Sequence, residues 1–247
     1  MQTSGNTILI TGGTSGIGRA LAERFQTDGN QVIIAGRRQA LIDEITAANP
    51  GMAGFALNAD DPADIARFAR EVTSAYPGLN VLINNAGIMR FEDASTARDL
   101  SDAQAIITTN LLGPIRMTDA LIDHLKARPN AALVNVTSGL AFVPLLSTPT
   151  YNATKAALHS YTLALRALLA GKVEVIELAP PAVQTDLTPG QATREGYLPL
   201  SDFIHEVMGL FAQNPTPAEI NVERVQFLRR AEIEGRLDQT IAMINAH

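Results

Sequence analysis

The chain has 247 residues, 46% of them hydrophobic and 18% charged, with a formal charge of −6. That acidic balance, with basic residues scattered, excludes an electrostatic grip on nucleic acid. The absence of cysteine excludes disulfides, thiolate nucleophiles and Cys-based metal sites. His124, His159, His205 and His247 show no ligand spacing, so no metal is expected. The polar N-terminus lacks the basic start and apolar run of a signal peptide, and no apolar stretch reaches the ~18 to 20 residues of a spanning helix. A soluble, cytoplasmic protein is expected.

In chain order, short β-branched runs at 7–11, 31–35, 53–57, 81–83, 132–137 and 173–178 predict six strands. Several are apolar on both faces, as parallel strands covered by helices on either side must be. Helical patterns lie between them near 17–28, 38–48, 61–75, 97–126 and 150–170. The alternation predicts a doubly wound α/β fold, a parallel sheet of about six strands in the order 3-2-1-4-5-6. Nothing marks an internal boundary, so residues 1–247 read as one domain. After the sixth strand, residues 184–200 are rich in Thr, Pro and Gly, and helical patterns follow near 201–213, 217–234 and 237–245. Ligands bind beyond the carboxyl ends of parallel strands, so 184–213 is expected to form a lid over that crevice.

The first strand runs into a turn holding Gly12, Thr14, Ser15, Gly16, Ile17 and Gly18, and a helical pattern follows. Such a turn brings a backbone close to a ligand, and the helix start offers free N–H groups and a positive dipole end to a pyrophosphate. The glycine spacing is not Gly-x-Gly-x-x-Gly. The second strand ends in Arg37 and Arg38, with no carboxylate to hold a ribose 2′-hydroxyl. Guanidiniums suit a 2′-phosphate, which predicts NADP(H) with Arg37 as the main contact.

Tyr151 and Lys155 stand four residues apart, which stacks them on one helical face. Lysine is scarce here, three against sixteen arginines. A cation beside a phenol favours the phenolate and eases proton exchange with a substrate oxygen.

Together these residues resemble the short-chain dehydrogenase/reductase superfamily in its single-domain form, from Thr7 to about Thr185. Thr11-Gly-x-x-x-Gly-x-Gly18 matches its cofactor turn and Asn84-Asn85-Ala86-Gly87 the motif after strand four. Asn110, Ser138, Tyr151 and Lys155 match its catalytic positions. Pro181, Val183 and Thr185 match the segment flanking the nicotinamide. The wording of 136–142, 153–159 and 177–183 is similar to the DltE-type branch.

The resemblance implies a Rossmann-type fold and hydride transfer between nicotinamide and a carbonyl or secondary alcohol. In it Tyr151 acts as general acid and base, Ser138 holds the same oxygen, and Lys155 tunes Tyr151 and holds the ribose. Asn110 organises a relay water. Asn58 and Ala59 fall at the adenine contact, where Asn58 replaces a common aspartate. Pro181 replaces a common glycine. The usual Gly-rich ending is missing, which puts a seventh strand in doubt.

An apolar pocket of Met89, Leu140, Phe142, Val143, Leu187 and Phe203 or Phe211 suggests a partly apolar carbonyl or alcohol substrate. Leu121, Leu125, Leu163, Leu165, Leu168 and Leu169 are apolar beyond the needs of one sheet face, which in this family goes with a homodimer. His159, one turn past Lys155, reads as packed or interfacial. A non-catalytic NADP(H)-sensing protein and a nucleotide-sugar epimerase or dehydratase stand as rival readings.

Overall fold

A computed structural model describes residues 1–246; His247 lies outside the described residues. The strands are β1 (Thr7–Thr11), β2 (Gln31–Gly36), β3 (Ala53–Ala56), β4 (Val81–Asn84), β5 (Ala132–Val136), β6 (Glu174–Leu178) and β7 (Glu219–Ile220). All neighbouring strands pair in parallel, in the order β3-β2-β1-β4-β5-β6-β7. The first six are the expected sheet.

The seventh strand, doubted from sequence, is present as two residues, with Glu177 opposite Glu219 and Leu178 opposite Ile220. It needs no glycine-rich signal because burial carries it: Ile220 and Val222 are both fully enclosed.

Alternation along each strand splits the apolar side chains between two cores. From β1, Ile8 and Ile10 face one core while Leu9 faces the other. The first core takes Leu21 and Phe25 of α1 (Gly16–Thr27), and Ile45 of α2 (Gln39–Ala48). The second is covered by α3 (Pro62–Ala75) through Phe68 and Val72. Each such side chain contributes about 1.5–3 kcal/mol when fully buried.

The pattern at 97–126 resolves into three pieces. A short α4 (Ser101–Ile107) passes through a π-helical turn (Thr108–Leu112) into α5 (Gly113–Lys126), with Pro114 in its first turn. The long α6 (Pro149–Leu168) follows β5. Leu121, Leu125, Leu165 and Leu169, expected at a dimer face, are spent in the second core; Leu163 and Leu168 remain exposed.

Of the segment expected as a lid, Thr185, Asp186, Leu187 and Gln191 line the crevice, whereas its helical part packs elsewhere. α7 (Leu200–Phe211) buries Phe203, Ile204, Val207, Met208 and Phe211 in the first core, with Phe211 edge-on to Phe25. It is a structural helix, and Phe203 and Phe211 are lost as pocket residues. α8 (Glu223–Arg229) and α9 (Leu237–Ile244) complete the chain. Among the described residues, no helix is long and apolar enough to cross a membrane.

Candidate active site

A crevice of about 490 Å³ runs along the carboxyl ends of the strands. That size suits a small-molecule or cofactor site. Its walls bring together Gly12, Thr14, Ser15, Gly16, Ile17 and Gly18 from the first turn, and Arg37 and Arg38 from the end of β2. Ala59, Asn85, Ala86, Gly87, Ser138, Tyr151, Lys155, Pro181, Val183 and Thr185 also line it.

The turn is braced from two sides. Gly12 donates its N–H to Ala35 O at 2.8 Å, and the Asn85 amide donates to Thr11 O at 3.1 Å and Gly12 O at 3.2 Å. A Cβ on Gly18 would lie 2.3 Å from Asn85 Nδ2 and 2.4 Å from Gly12 O, so that glycine serves a close approach between two loops rather than to a ligand. Gly16 takes φ 52°, a left-handed conformation that favours glycine.

The α1 N-terminus has no side-chain cap and no acidic residue in its first turn, which leaves its N–H groups fit for an anion. Arg38 reaches back over this turn, donating to Ser15 Oγ at 3.2 Å and Thr14 Oγ1 at 3.3 Å. Arg37 is 65% exposed and lies 3.7 Å from Asp60. A glycine turn, an open helix start and two guanidiniums fit the phosphates of a nicotinamide dinucleotide.

Asn58 does not join the crevice. Its side-chain oxygen accepts the N–H of Asp60 at 3.2 Å within its own loop.

At the other end, α6 carries Tyr151 and Lys155 on one face, the Lys155 ammonium 5.6 Å from the Tyr151 ring centroid. The helix start is fixed from outside: the Thr150 N–H donates to Glu92 of the 85–100 loop at 3.1 Å. Lys155 donates to Val136 O at 2.8 Å, tying the helix to the end of β5. Ser138 follows that strand end and accepts from Leu140 N at 3.1 Å, which keeps its own hydroxyl hydrogen available as a donor.

Asn110 is fully buried in the π-helical turn. Its amide exchanges a reciprocal pair with the Ile88 backbone, accepting from N–H and donating to C=O at 2.8 Å each. This clamps the 87–88 segment beside Lys155: a Cβ on Gly87 would sit 3.7 Å from Lys155 Nζ.

Burial dominates both titrating groups. It pushes the Tyr151 phenol up to about 12, with the Ser138 hydroxyl pulling the other way. It pushes the Lys155 ammonium down to about 8. The ammonium donates to the Val136 carbonyl, and desolvation is the largest cause of the shift in each group.

The substrate-end wall departs from the sequence reading. Leu187 lines the crevice, whereas Met89, Leu140, Phe142 and Val143 do not; Ile88, Arg90, Pro180, Asp186 and Gln191 do instead. Sequence reasoning missed Gln191, whose buried amide donates to Val183 O at 2.8 Å and Thr185 Oγ1 at 3.2 Å. No spacing rule announces a glutamine in an irregular loop. His159 is packed, edge-on to Phe142 at 5.1 Å, and bonded to Glu177. Among the described residues, no three His, Asp or Glu side chains converge as a metal site.

The short chain dehydrogenase profile matches residues 6–196. The chain belongs to the short-chain dehydrogenase/reductase family. It is 40% identical to the uncharacterized oxidoreductase DltE of Bacillus subtilis (strain 168), over 94% of this chain and 93% of that one. A short chain dehydrogenase from Burkholderia cenocepacia J2315 in complex with NADP superposes with a TM-score of 0.84 at 26% identity, over 98% of each chain. The 3-ketoacyl-(acyl-carrier-protein) reductase of Brucella melitensis, complexed with NADH, superposes at 0.78 and 26% identity over 88% of this chain and 96% of that one. Members of this family are nicotinamide-dependent oxidoreductases, and Ser138, Tyr151 and Lys155 share one crevice with the glycine turn.

Proposed function

We propose that the protein is an NADP(H)-dependent carbonyl reductase or alcohol dehydrogenase of the cytoplasm, acting on a small, partly apolar molecule. The convergence of Ser138, Tyr151 and Lys155 on the crevice that holds the glycine turn carries this reading. The dinucleotide is assigned to the α1 N-terminus and residues 12–18, with its nicotinamide end toward Pro181, Val183 and Thr185 and its ribose toward Lys155. When bound, it supplies or takes the hydride at the carbonyl or carbinol carbon. Tyr151 gives a proton to the substrate oxygen during reduction and takes one during oxidation. The free hydroxyl hydrogen of Ser138 bonds the same oxygen, more strongly as charge develops. Asn110 acts by holding the 87–88 backbone against Lys155.

The relatives with bound cofactor do not choose between the dinucleotides, since one holds NADP and another NADH. The choice rests on Arg37 and Arg38, consecutive guanidiniums at the crevice wall just past β2, a strand that ends without a carboxylate; Asp60, from the loop after β3, stands beside Arg37. Arg38 is the nearer to the anion-binding turn, and Arg37 completes the phosphate site from its exposed side. Calorimetric titration with NADPH and NADH separately tests this, because the chain has no tryptophan for a quenching assay.

NADPH should bind tighter, and Arg38→Ala should remove about 1.5–3 kcal/mol from NADPH binding alone. A preference for NADH would overturn the phosphate assignment. NADPH consumption with a ketone and aldehyde panel then separates the enzyme from a dinucleotide sensor: binding without turnover of any carbonyl would favour the sensor.

A homodimer is assigned to the face carrying the exposed Leu163 and Leu168 of α6. A concentration-independent monomer mass in solution scattering would contradict it.

A further inference from the structure

Glu177 is a fully buried carboxylate one residue from the C-terminal end of β6, beside Val175, Ile176 and Leu178, which are buried as well. A carboxylate in such a place costs several kcal/mol unless it is paired and fully hydrogen-bonded. An apolar residue would satisfy the packing at no such cost. It does not line the crevice, so it touches neither cofactor nor substrate.

Both of its oxygens are engaged. The Thr137 hydroxyl donates to Oε1 at 2.6 Å, and His159 Nδ1 lies 2.7 Å from Oε2. A carboxylate only accepts, so the imidazole carries its hydrogen on Nδ1. Thr137 is the residue between Val136, whose carbonyl holds Lys155, and Ser138. The same strand end is pinned through its backbone as well, by Thr137 N–H to Leu178 O and Gly139 N–H to Pro180 O, each at 2.8 Å.

His159 extends the connection to the C-terminal segment. Its ring meets the edge of Phe142, and Phe142 carries the Arg229 guanidinium 4.8 Å from its centroid. Arg229 is in turn held by both oxygens of Glu219, at 2.8 and 2.9 Å. Glu219 and Arg229 are therefore the charged groups that neighbour the pair. Leu228 and Val225 of α8 close against Gly139, where an added Cβ would stand 2.7 and 3.0 Å from them.

We propose that Glu177, held by His159, is a positioning residue that fixes the strand end 136–138 through Thr137, and with it the donor of Ser138 and the carbonyl that anchors Lys155. The proposal rests on the oxidoreductase reading for its kinetic consequence but not for its structural one. A buried, charge-assisted bond at the last residue before Ser138 limits the rotation of that strand end more than apolar packing would. Misplacing a catalytic group by about 1 Å costs up to a hundredfold in rate, which is the scale on which such a bond acts.

The test compares wild type, Thr137→Val, Glu177→Gln and Tyr151→Phe. Two readouts are taken: amide hydrogen exchange over residues 136–142, which needs no turnover, and kcat and KM on a carbonyl panel with NADPH. Thr137→Val removes the donor to Glu177 Oε1 and keeps the side-chain volume; the loss of stability from the stripped oxygen is read separately by urea unfolding. The variant should accelerate exchange across 137–142 and lower kcat by about tenfold to a hundredfold, with KM and NADPH affinity within about twofold. Glu177→Gln keeps an acceptor for Thr137 but removes the charge and turns an amide N–H toward His159, so it should accelerate exchange and lower kcat in the same direction as Thr137→Val, by a smaller factor.

Wild-type exchange and wild-type kcat in Thr137→Val would overturn the proposal while leaving the reductase reading intact. Faster exchange in Thr137→Val, with no carbonyl turned over by wild type, would uphold the positioning and sink the reductase reading. A fall in turnover confined to Tyr151→Phe would again exclude Glu177.

Discussion

At the glycine-turn end of the crevice the backbone is braced from β1, β2 and the loop after β4, whereas the opposite wall, residues 181–198, rests on an isolated bridge between Val183 and Leu198 and on the buried Gln191. The first region interlocks: Asn85 fills the space that a side chain at Gly18 would need. The second has no repeating element beyond a three-residue 3-10 turn at Gln191–Thr193. Between them, Tyr151 and Lys155 sit on α6 and Ser138 stands two residues past the end of β5, elements whose positions burial dictates. On the function proposed above, the difference would put the chemistry beside regular elements and the substrate fit on an irregular one. Damage at the two ends should therefore separate turnover from substrate affinity.

The largest effect is expected from Tyr151→Phe, which removes the proton carrier and little volume. Turnover should fall by about 10²- to 10⁴-fold, the usual contribution of a positioned acid or base. Calorimetry should return the wild-type NADPH affinity, since the glycine turn and the arginines are untouched. A variant that turns over normally would take Tyr151 out of the mechanism.

Next in size is a pH effect on the cofactor-free protein. Burial holds Lys155 at about 8, against 10.5 for an ordinary lysine. Between those values the unfolded chain binds the proton and the folded protein does not, so stability rises with pH across that window. The cost of burying the charged form is fully present below about pH 8 and amounts to on the order of 3 kcal/mol at most. Tyr151 acts oppositely: the folded state keeps its proton up to about 12 against 10.0 in an ordinary tyrosine, so stability falls with pH between those values. Urea unfolding at pH 7.5, 8.5 and 9.5 should show the rise in wild type and its absence in Lys155→Met. Parallel profiles for the two proteins would mean that Lys155 is not desolvated.

Gly18→Ala attacks the braced end. The added methyl meets both Asn85 Nδ2 and the Gly12 carbonyl, and the carbonyl belongs to a turn that cannot withdraw without losing its bond to Ala35. A loss of about 1–3 kcal/mol of stability is expected, together with weaker dinucleotide binding. Thermal unfolding and titration check both; an unchanged cofactor affinity would show that the turn tolerates displacement.

What could be read beforehand follows the same division. The six long strands were legible because each is a short apolar run with the burial of both faces written into it, as in Ile8, Leu9 and Ile10. That Tyr151 and Lys155 share a face was legible because one helical turn separates them, whereas Asn110 and Ser138 entered through the family resemblance. β7 was not, since two residues make no pattern and their pairing is decided by contacts with β6. α7 was read as a lid because its apolar residues gave no hint of which surface they would cover; Phe25 and the first core claimed them. Glu177 did leave a signal, a carboxylate inside an apolar strand, but its partners Thr137 and His159 come from two other elements.

The smallest expected effect tests the irregular wall alone. Gln191 is buried, accepts from the Thr188 hydroxyl at 2.8 Å, and donates to Val183 O and Thr185 Oγ1. Gln191→Leu keeps the bulk but leaves the Val183 carbonyl without its donor, a loss that loosens the segment beside the substrate without reaching α6 or β5. KM for the carbonyl should rise roughly three- to tenfold while kcat stays near wild type, the kinetic equivalent of about 1 kcal/mol, and NADPH binding should weaken by a smaller factor because Val183 and Thr185 are assigned to the nicotinamide end. If kcat falls with KM, the wall also governs the placement of Tyr151 and Ser138, and the two ends of the crevice are coupled. If neither moves, the bridge between Val183 and Leu198 is sufficient to hold the wall by itself.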